Sequence, residues 1–100
     1  MIKCTTPTYI IGFDSEFNFS AVIYWTVAIK QGKTLLTIDD PEVDAENRTL
    51  SITLTQEQTK IFQVGEANIQ VKGKFAEGTV FASDIAKVPV NTVLDERIIQ

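Results

Sequence analysis

The residues with the most obvious capacity for chemistry form one acidic run between Asp39 and Glu46. The carboxylates at alternate positions, Asp40, Glu42, Asp44 and Glu46, are spaced much as oxygen ligands are at the start of a calcium-binding loop. The position of the sharp turn, however, holds Ala45 rather than glycine, and the closing position holds Ser51 rather than glutamate. We therefore predict a solvated acidic loop and no metal site, with a calcium loop as the alternative.

Other catalytic constellations are missing from the chain. It has no histidine, which removes the commonest general base and any Ser-His or Cys-His pair. Neither G-x-S-x-G nor S-x-x-K occurs, and the five glycines are too dispersed for a phosphate-binding loop. The sequence predicts no catalytic residue, no cofactor and no enzymatic activity.

Charge and composition narrow the possible partners. The net charge is −4 and the lysines are scattered singly, whereas proteins that bind nucleic acids or anionic membranes carry basic stripes. We therefore predict neither a nucleic acid nor a membrane as a partner. Cys4 is the only cysteine, so no internal disulfide forms, and we interpret it as a small apolar residue in the first strand. The chain shows no signal peptide and no apolar run long enough to span a bilayer. These features predict a product that stays in the cytoplasm where it is made, unless it is exported as part of an assembly.

The elements that must position these residues are strands, because the hydrophobic period is two. Apolar and polar residues alternate over 17–29, 50–54 and 66–75. This alternation is typical of antiparallel sheet with one face on a core and the other in water. Trp25 lies at core parity in the first of these stretches, so we predict a packing role; a sugar-binding tryptophan is the alternative.

Turn residues divide the chain into short strands. Gln31-Gly32-Lys33 and Ala76-Glu77-Gly78 predict hairpins, and residues 39–47 predict a polar loop. Pro7 and Pro89 indicate edge strands or strand starts. About seven to eight strands at close spacing favour a β-sandwich, and 100 residues predict a single domain over 1–100.

One segment breaks the alternation and predicts a single helical turn between the two sheets. Thr55 is followed three residues later by Gln58, the spacing of a capping box. Leu54 and Phe62 flank the turn as apolar anchors. We assign structural roles to Thr55, Gln58 and Phe62, as to Trp25.

Four large residues lie off the parity of the predicted core. Val22 and Tyr24 fall on the even face of the Trp25 strand, and Phe81 and Ile85 share a face with Ser83. A two-layer sandwich should not need apolar groups on a solvated face. Either other parts of the chain cover them or they form an interaction surface, and they are the candidate contact residues.

Four stretches carry a resemblance to a known group. They are residues 5–8 (TTPT), 26–31 (TVAIKQ), 51–62 (SITLTQEQTKIF), and 82–85 (ASDI) leading to 93–95 (VLD). Read together they resemble small proteins encoded in the structural modules of phages and prophages of Gram-positive gut bacteria. The most specific part is L-T-Q-E-x-T-x-x-F, followed by a strand around Ile69-Gln70.

The resemblance implies an immunoglobulin-like β-sandwich with a tail or baseplate role, similar to the amino-terminal domains of baseplate upper proteins. Cys4 has no partner for the inter-sheet disulfide of immunoglobulin domains, so the implied likeness is one of architecture. Function remains open between two classes. One is a virion structural or assembly protein that contacts copies of itself or other tail components. The other is a binding module for carbohydrate or another cell-surface ligand, which would require a planar row of exposed aromatic side chains.

Overall fold

A computed structural model describes all 100 residues as two antiparallel sheets joined by one short α-helix. The elements are β1 (Thr8–Gly12), a 3-10 turn (Phe19–Ala21), β2 (Val22–Gln31), β3 (Thr34–Ile38), β4 (Glu42–Asp44), β5 (Thr49–Thr53), α1 (Gln56–Lys60), β6 (Gly65–Phe75), β7 (Val80–Ala82) and β8 (Ala86–Val90). The prediction of an all-β antiparallel sandwich with seven to eight strands and one helical turn is confirmed.

The two sheets differ in width. The smaller sheet has the order β1-β5-β4, and the larger has the order β3-β2-β6-β7, with β8 also paired to β6. β7 and β8 pair with different parts of the long strand β6, and β3 pairs only with residues 27–31 of β2, so the larger sheet is at most four strands wide. The longest ladder, between β2 and β6, forms its centre.

Glycines close the two predicted hairpins. Gly32 has φ of 58° in the turn between β2 and β3, and Gly78 has φ of 107° between β6 and β7. Both values lie where residues with a Cβ atom are disfavoured. The prediction for residues 39–47 was partly wrong, because β4 forms inside this loop and pairs with β5. Its three residues are too few for alternation to reveal a strand.

A β-bulge shifts the face assignment at the start of β2. Val22 pairs with Phe75 and Tyr24 with Lys74, so Ile23 has no partner on β6. The extra residue breaks the period of two. As a result, Ile23 is 65% exposed although its parity predicts a core position, and Val22 turns inward against the core. The strand also begins later than the alternation suggested, since the 3-10 turn precedes it.

A second irregularity separates β7 from β8. The register runs from Lys72–Ala82 to Ile69–Ala86, which leaves one more residue on the outer strand than on β6. The Ser83 hydroxyl accepts a hydrogen bond from Val71 N at 2.9 Å and so fills the gap in the ladder. Parity therefore reverses: Phe81 points inward and Ile85 points outward.

The core lies between the sheets and ends in an aromatic cluster. Thirteen buried residues form it, among them Trp25, which is 6% exposed, and Phe62, which is fully buried. At one end six aromatic rings pack with neighbouring centroids 5.0–6.4 Å apart; they belong to Phe13, Phe17, Phe19, Trp25, Phe75 and Phe81. The predicted core position of Trp25 is confirmed.

Helix α1 carries the chain from the smaller sheet to the larger one. Gln58 N donates to Thr55 Oγ1 at 3.1 Å, and Thr55 N donates to Gln58 Oε1 at 2.8 Å, which is the predicted capping box. Thr59 is fully buried, and its hydroxyl bridges the Thr5 backbone to the helix. Phe62 follows α1 and anchors it in the core.

Cys4 does not lie in a strand, which corrects the sequence interpretation. It sits in a turn before β1 with φ of 60°, and its Sγ is 3.4 Å from the carbonyl oxygen of Glu96. The side chain is nevertheless buried.

Candidate interaction surface

The surface of interest is the solvent side of the larger sheet, here called the outer face. It is formed by alternate residues of β2 and their partners on β6: Tyr24 opposite Lys74, Thr26 opposite Lys72, Ala28 opposite Gln70 and Lys30 opposite Asn68. The same strands direct Trp25, Val27 and Ile29 into the core. The period of two in β2 therefore determines both surfaces.

The structure places only half of the four predicted contact residues on this face. Tyr24 is 47% exposed and Ile85 is 62% exposed, and both point to solvent. Val22 and Phe81 are partly buried against the core, so the parity that placed them on the exposed face was wrong, and the alternative that the same chain covers them holds for these two residues. The two strand irregularities explain the error. The unpaired Ile23 puts Val22 and Tyr24 on opposite faces of the sheet, and the extra residue near Ser83 does the same to Phe81 and Ile85.

Gly73 provides the space that Phe81 occupies. The two residues pair across β6 and β7, and a Cβ at Gly73 would lie 2.7 Å from the Phe81 ring and 2.9 Å from the Tyr24 carbonyl oxygen. The ring therefore covers the glycine on the inner side of the sheet and contacts Trp25 edge-on at 5.7 Å.

Two further apolar residues on the outer face were missed by sequence reasoning. Val80 and Leu35 are both more than half exposed. Val80 pairs with Lys74, and Leu35 pairs with Lys30, so both lie on the same side of the sheet as Tyr24. Their position follows from strand register, which the isolated alternation of a three- or five-residue strand does not reveal.

Shallow depressions separate these apolar groups. One, of about 300 Å³, is bounded by Tyr24, Thr26, Lys72, Lys74 and Val80 around Gly73. Another, of about 350 Å³, lies among Ala28, Leu35, Gln70 and Ile85. Together they give the outer face relief that a side chain of another molecule could enter.

The unpaired charges on the outer face are opposite in sign to the net charge of the chain. Lys30, Lys72 and Lys74 are exposed and have no carboxylate within ion-pair distance. Lys87 lies 3.7 Å from Glu66 in an exposed pair. A protein with net charge −4 thus presents three unpaired ammonium groups beside its exposed apolar residues. Such a surface favours a partner that carries carboxylates.

Tyr24 is the outer-face residue whose titration is perturbed. Partial desolvation and the negative charges of Asp39 and Asp40 raise the pKa of its phenol. Asp39 is held beside the sheet because Thr26 Oγ1 donates to its Oδ1 at 3.0 Å. The acidic run therefore begins at the border of the outer face.

The rest of the acidic run follows β4 along the edge of the smaller sheet. Asp44 accepts hydrogen bonds from the side chain and the backbone of Asn47, at 2.7 Å and 3.2 Å, and these bonds lower its pKa. The chain has no group of three or more carboxylate or thiol side chains close enough together to hold a metal ion. Glu42 and Asp44 share one side of β4, opposite Ser51 and Thr49.

A further depression lies at the open side of the sandwich, between β1 and the break separating β7 from β8. It measures about 370 Å³, and its polar groups include Asp14, Ser83 and Asp84. The Ser83 hydroxyl is occupied by Val71 N, and Asp14 Oδ1 accepts from the backbone of Glu16 and Phe17. These groups stabilise local backbone, and the depression contains no nucleophile–base pair.

Comparisons with known proteins give no relative for this chain. No family model, no curated protein and no solved structure matches it. No helix in the molecule has the length and apolar character needed to cross a membrane.

Proposed function

We propose that the chain is a non-catalytic phage or prophage virion protein, associated with the tail or baseplate, that acts through protein–protein contacts at the outer face. The observation that carries the proposal is the exposure of Tyr24, Val80, Ile85 and Leu35 beside unpaired lysines. Exposed apolar area costs roughly 25 cal/mol per Å² relative to burial, which a partner would recover. Tyrosine is also among the residues that most often anchor protein interfaces.

The phage assignment is supported by the four resembling sequence stretches, and the contact role is supported by the outer face. A tail component must pack against neighbours, either copies of itself or other virion proteins. The protein would be made in the cytoplasm and incorporated into the particle. An immunoglobulin-like sandwich is the architecture that the resemblance implies for such a role.

The carbohydrate-binding alternative is less well supported. Tyr24 is the one exposed aromatic side chain, because the other eight are buried or partly buried. A sugar-binding platform of adjacent exposed rings is therefore absent, and nucleic acid and membrane partners are not part of the proposal.

The test is the double variant Tyr24→Ser with Ile85→Ser, compared with Ile10→Ser as a matched control. Ile10 is 70% exposed but lies on β1 in the smaller sheet. We expect particles from a strain carrying the double variant to lack the protein, while wild type and the control are found in them by mass spectrometry. Absence of the wild-type protein from particles would refute the virion assignment. Full incorporation of the folded double variant would refute the contact face.

A further inference from the structure

One pair of lysines and one pair of carboxylates in this chain have the same spacing along their strands. Lys72 and Lys74 project from the outer face of β6, two residues apart. Glu42 and Asp44 project from one side of β4, also two residues apart. Residues at i and i+2 of a strand are about 7 Å apart, so each carboxylate can oppose one ammonium group when the strands are aligned.

We infer that β4 of one copy of this protein docks on the Lys72–Lys74 strip of the next copy. The inference rests on the proposed contact role of the outer face and names the partner as a second copy. The contact is heterologous, because the basic strip and the acidic strand are different surfaces of the same chain. Repetition of such a contact generates a ring or a filament.

The acidic strand is free to make this contact. β4 is the edge strand of the smaller sheet and pairs only with β5, so no strand lies along its other edge. Glu42 has no cation within ion-pair distance, and Asp44 has only the neutral side chain and the backbone of Asn47 as partners. Both residues are exposed.

The basic strip offers apolar as well as charged contacts. Tyr24 and Val80 border the same 300 Å³ depression as Lys72 and Lys74, with Thr26 at its side. The depression would receive the carboxylate side chains while Tyr24 covers them from water, which strengthens the charge pairing. Exposed ion pairs contribute little on their own, so the apolar border is what makes the strip a docking site.

The same-chain acidic residues do not satisfy this strip. Asp39 and Asp40 lie near Tyr24, and Asp39 is bonded to Thr26. Neither residue forms an ion pair with Lys72 or Lys74. The strip therefore keeps its charge in the monomer.

The test is charge complementation between two variants. In the basic-strip variant, Lys72→Glu and Lys74→Glu, each copy presents acid to acid. In the acidic-strand variant, Glu42→Lys and Asp44→Lys, each copy presents base to base. Sedimentation velocity at low ionic strength should show self-association of the wild type, weakened at least about tenfold in each variant alone.

Mixing the two variants should restore association to within about threefold of the wild type, because both contacts then join opposite charges. Two control variants carry the same changes in net charge elsewhere: Lys33→Glu with Lys60→Glu, and Glu57→Lys with Glu77→Lys. We expect both controls to associate as the wild type does. Addition of salt should weaken every association seen.

Three outcomes separate this inference from the proposed function. A wild type that stays monomeric at every concentration overturns the inference, and the outer face is then left for a different virion protein. Association that the mixture does not restore also overturns it, with the contact role intact. Association that survives Tyr24→Ser with Ile85→Ser would show that the outer face does not make the contact, which overturns both the inference and the proposed function.

Discussion

The two faces of the larger sheet are built from the same strands but differ in how fully their side chains are packed and paired. On the inner face, Trp25, Val27 and Ile29 are buried in the core, and no buried side-chain polar atom lacks a partner. On the outer face, Tyr24 is half exposed and Lys72 and Lys74 have no ion-pair partner. Adjacent residues of β2 therefore differ: those on the inner face are fully packed, and those on the outer face have apolar area and charges without partners.

This difference separates the part of the sequence that specifies the fold from the part that is available for contact. The inner face determines which strands pair and how they pack, because burial of apolar area drives folding. The outer face contributes little to that packing, so its apolar residues need another explanation. Substitutions on the two faces should accordingly affect different measurements.

The largest effect is expected at Trp25. Trp25→Ala removes the ring that contacts Phe13, Phe19 and Phe81, and should lower the free energy of unfolding by about 3–5 kcal/mol. Tyr24→Ala, one residue away on the outer face, should change it by less than about 1 kcal/mol. Urea denaturation of both variants measures the contrast. Equal losses would mean that the two faces do not differ in their contribution to folding.

Gly73 probes the inner face from the opposite direction, by adding volume. Gly73→Ala places a methyl group against the Phe81 ring and the Tyr24 carbonyl, and should cost about 1–3 kcal/mol. Gly12→Ala is the matched control, because a Cβ there meets no atom within 4 Å. If both variants unfold at the same urea concentration, the close packing of Phe81 on β6 is wrong.

The sequence predicted the fold better than it predicted the surface, for a reason visible in β2. Alternation between Trp25 and Ile29 is uninterrupted, so strand, face and core position all followed from it. At Val22 a single unpaired residue reversed the faces, and at Phe81 the extra residue near Ser83 did the same. A bulge has no compositional mark in these stretches, so parity counting continued past it.

The surface residues missed by sequence reasoning depended on pairing between strands. Val80 and Leu35 join Tyr24 on one face only because β7 pairs with β6 and β3 with β2. In contrast, the capping box at Thr55 is a local pattern, and both of its hydrogen bonds were predictable from residue types and spacing. The capping box could therefore be predicted from the sequence, whereas the positions of Val80 and Leu35, which depend on pairing between strands, could not.

A smaller effect is expected where the core ends at α1. Thr55→Ala removes the bond from Gln58 N and should lower stability by about 1 kcal/mol. Thr53→Ala, two residues earlier on the exposed side of β5, is the control for loss of a threonine hydroxyl outside the helix cap; its partner is Thr8. Urea denaturation midpoints of the two variants measure the difference. A Thr55→Ala protein as stable as the wild type would show that the helix cap contributes nothing to the stability of the fold.

The smallest effect concerns the ionisation of Tyr24, and it tests whether the acidic run reaches the outer face. Partial desolvation and the charges of Asp39 and Asp40 raise the pKa of Tyr24 in the folded state. The neutral phenol is therefore favoured by folding below the unfolded pKa, and this contribution is lost as pH rises through the folded pKa. Because burial also raises the pKa of Tyr9, the tyrosinate absorbance should be titrated in a Tyr9→Phe background. Asp39→Asn with Asp40→Asn should move the Tyr24 transition to lower pH, whereas Glu46→Gln, at the far end of the run, should leave it in place. A transition that does not move would place the acidic run too far from Tyr24 to influence it, and the outer face would then carry only the positive charge of its lysines.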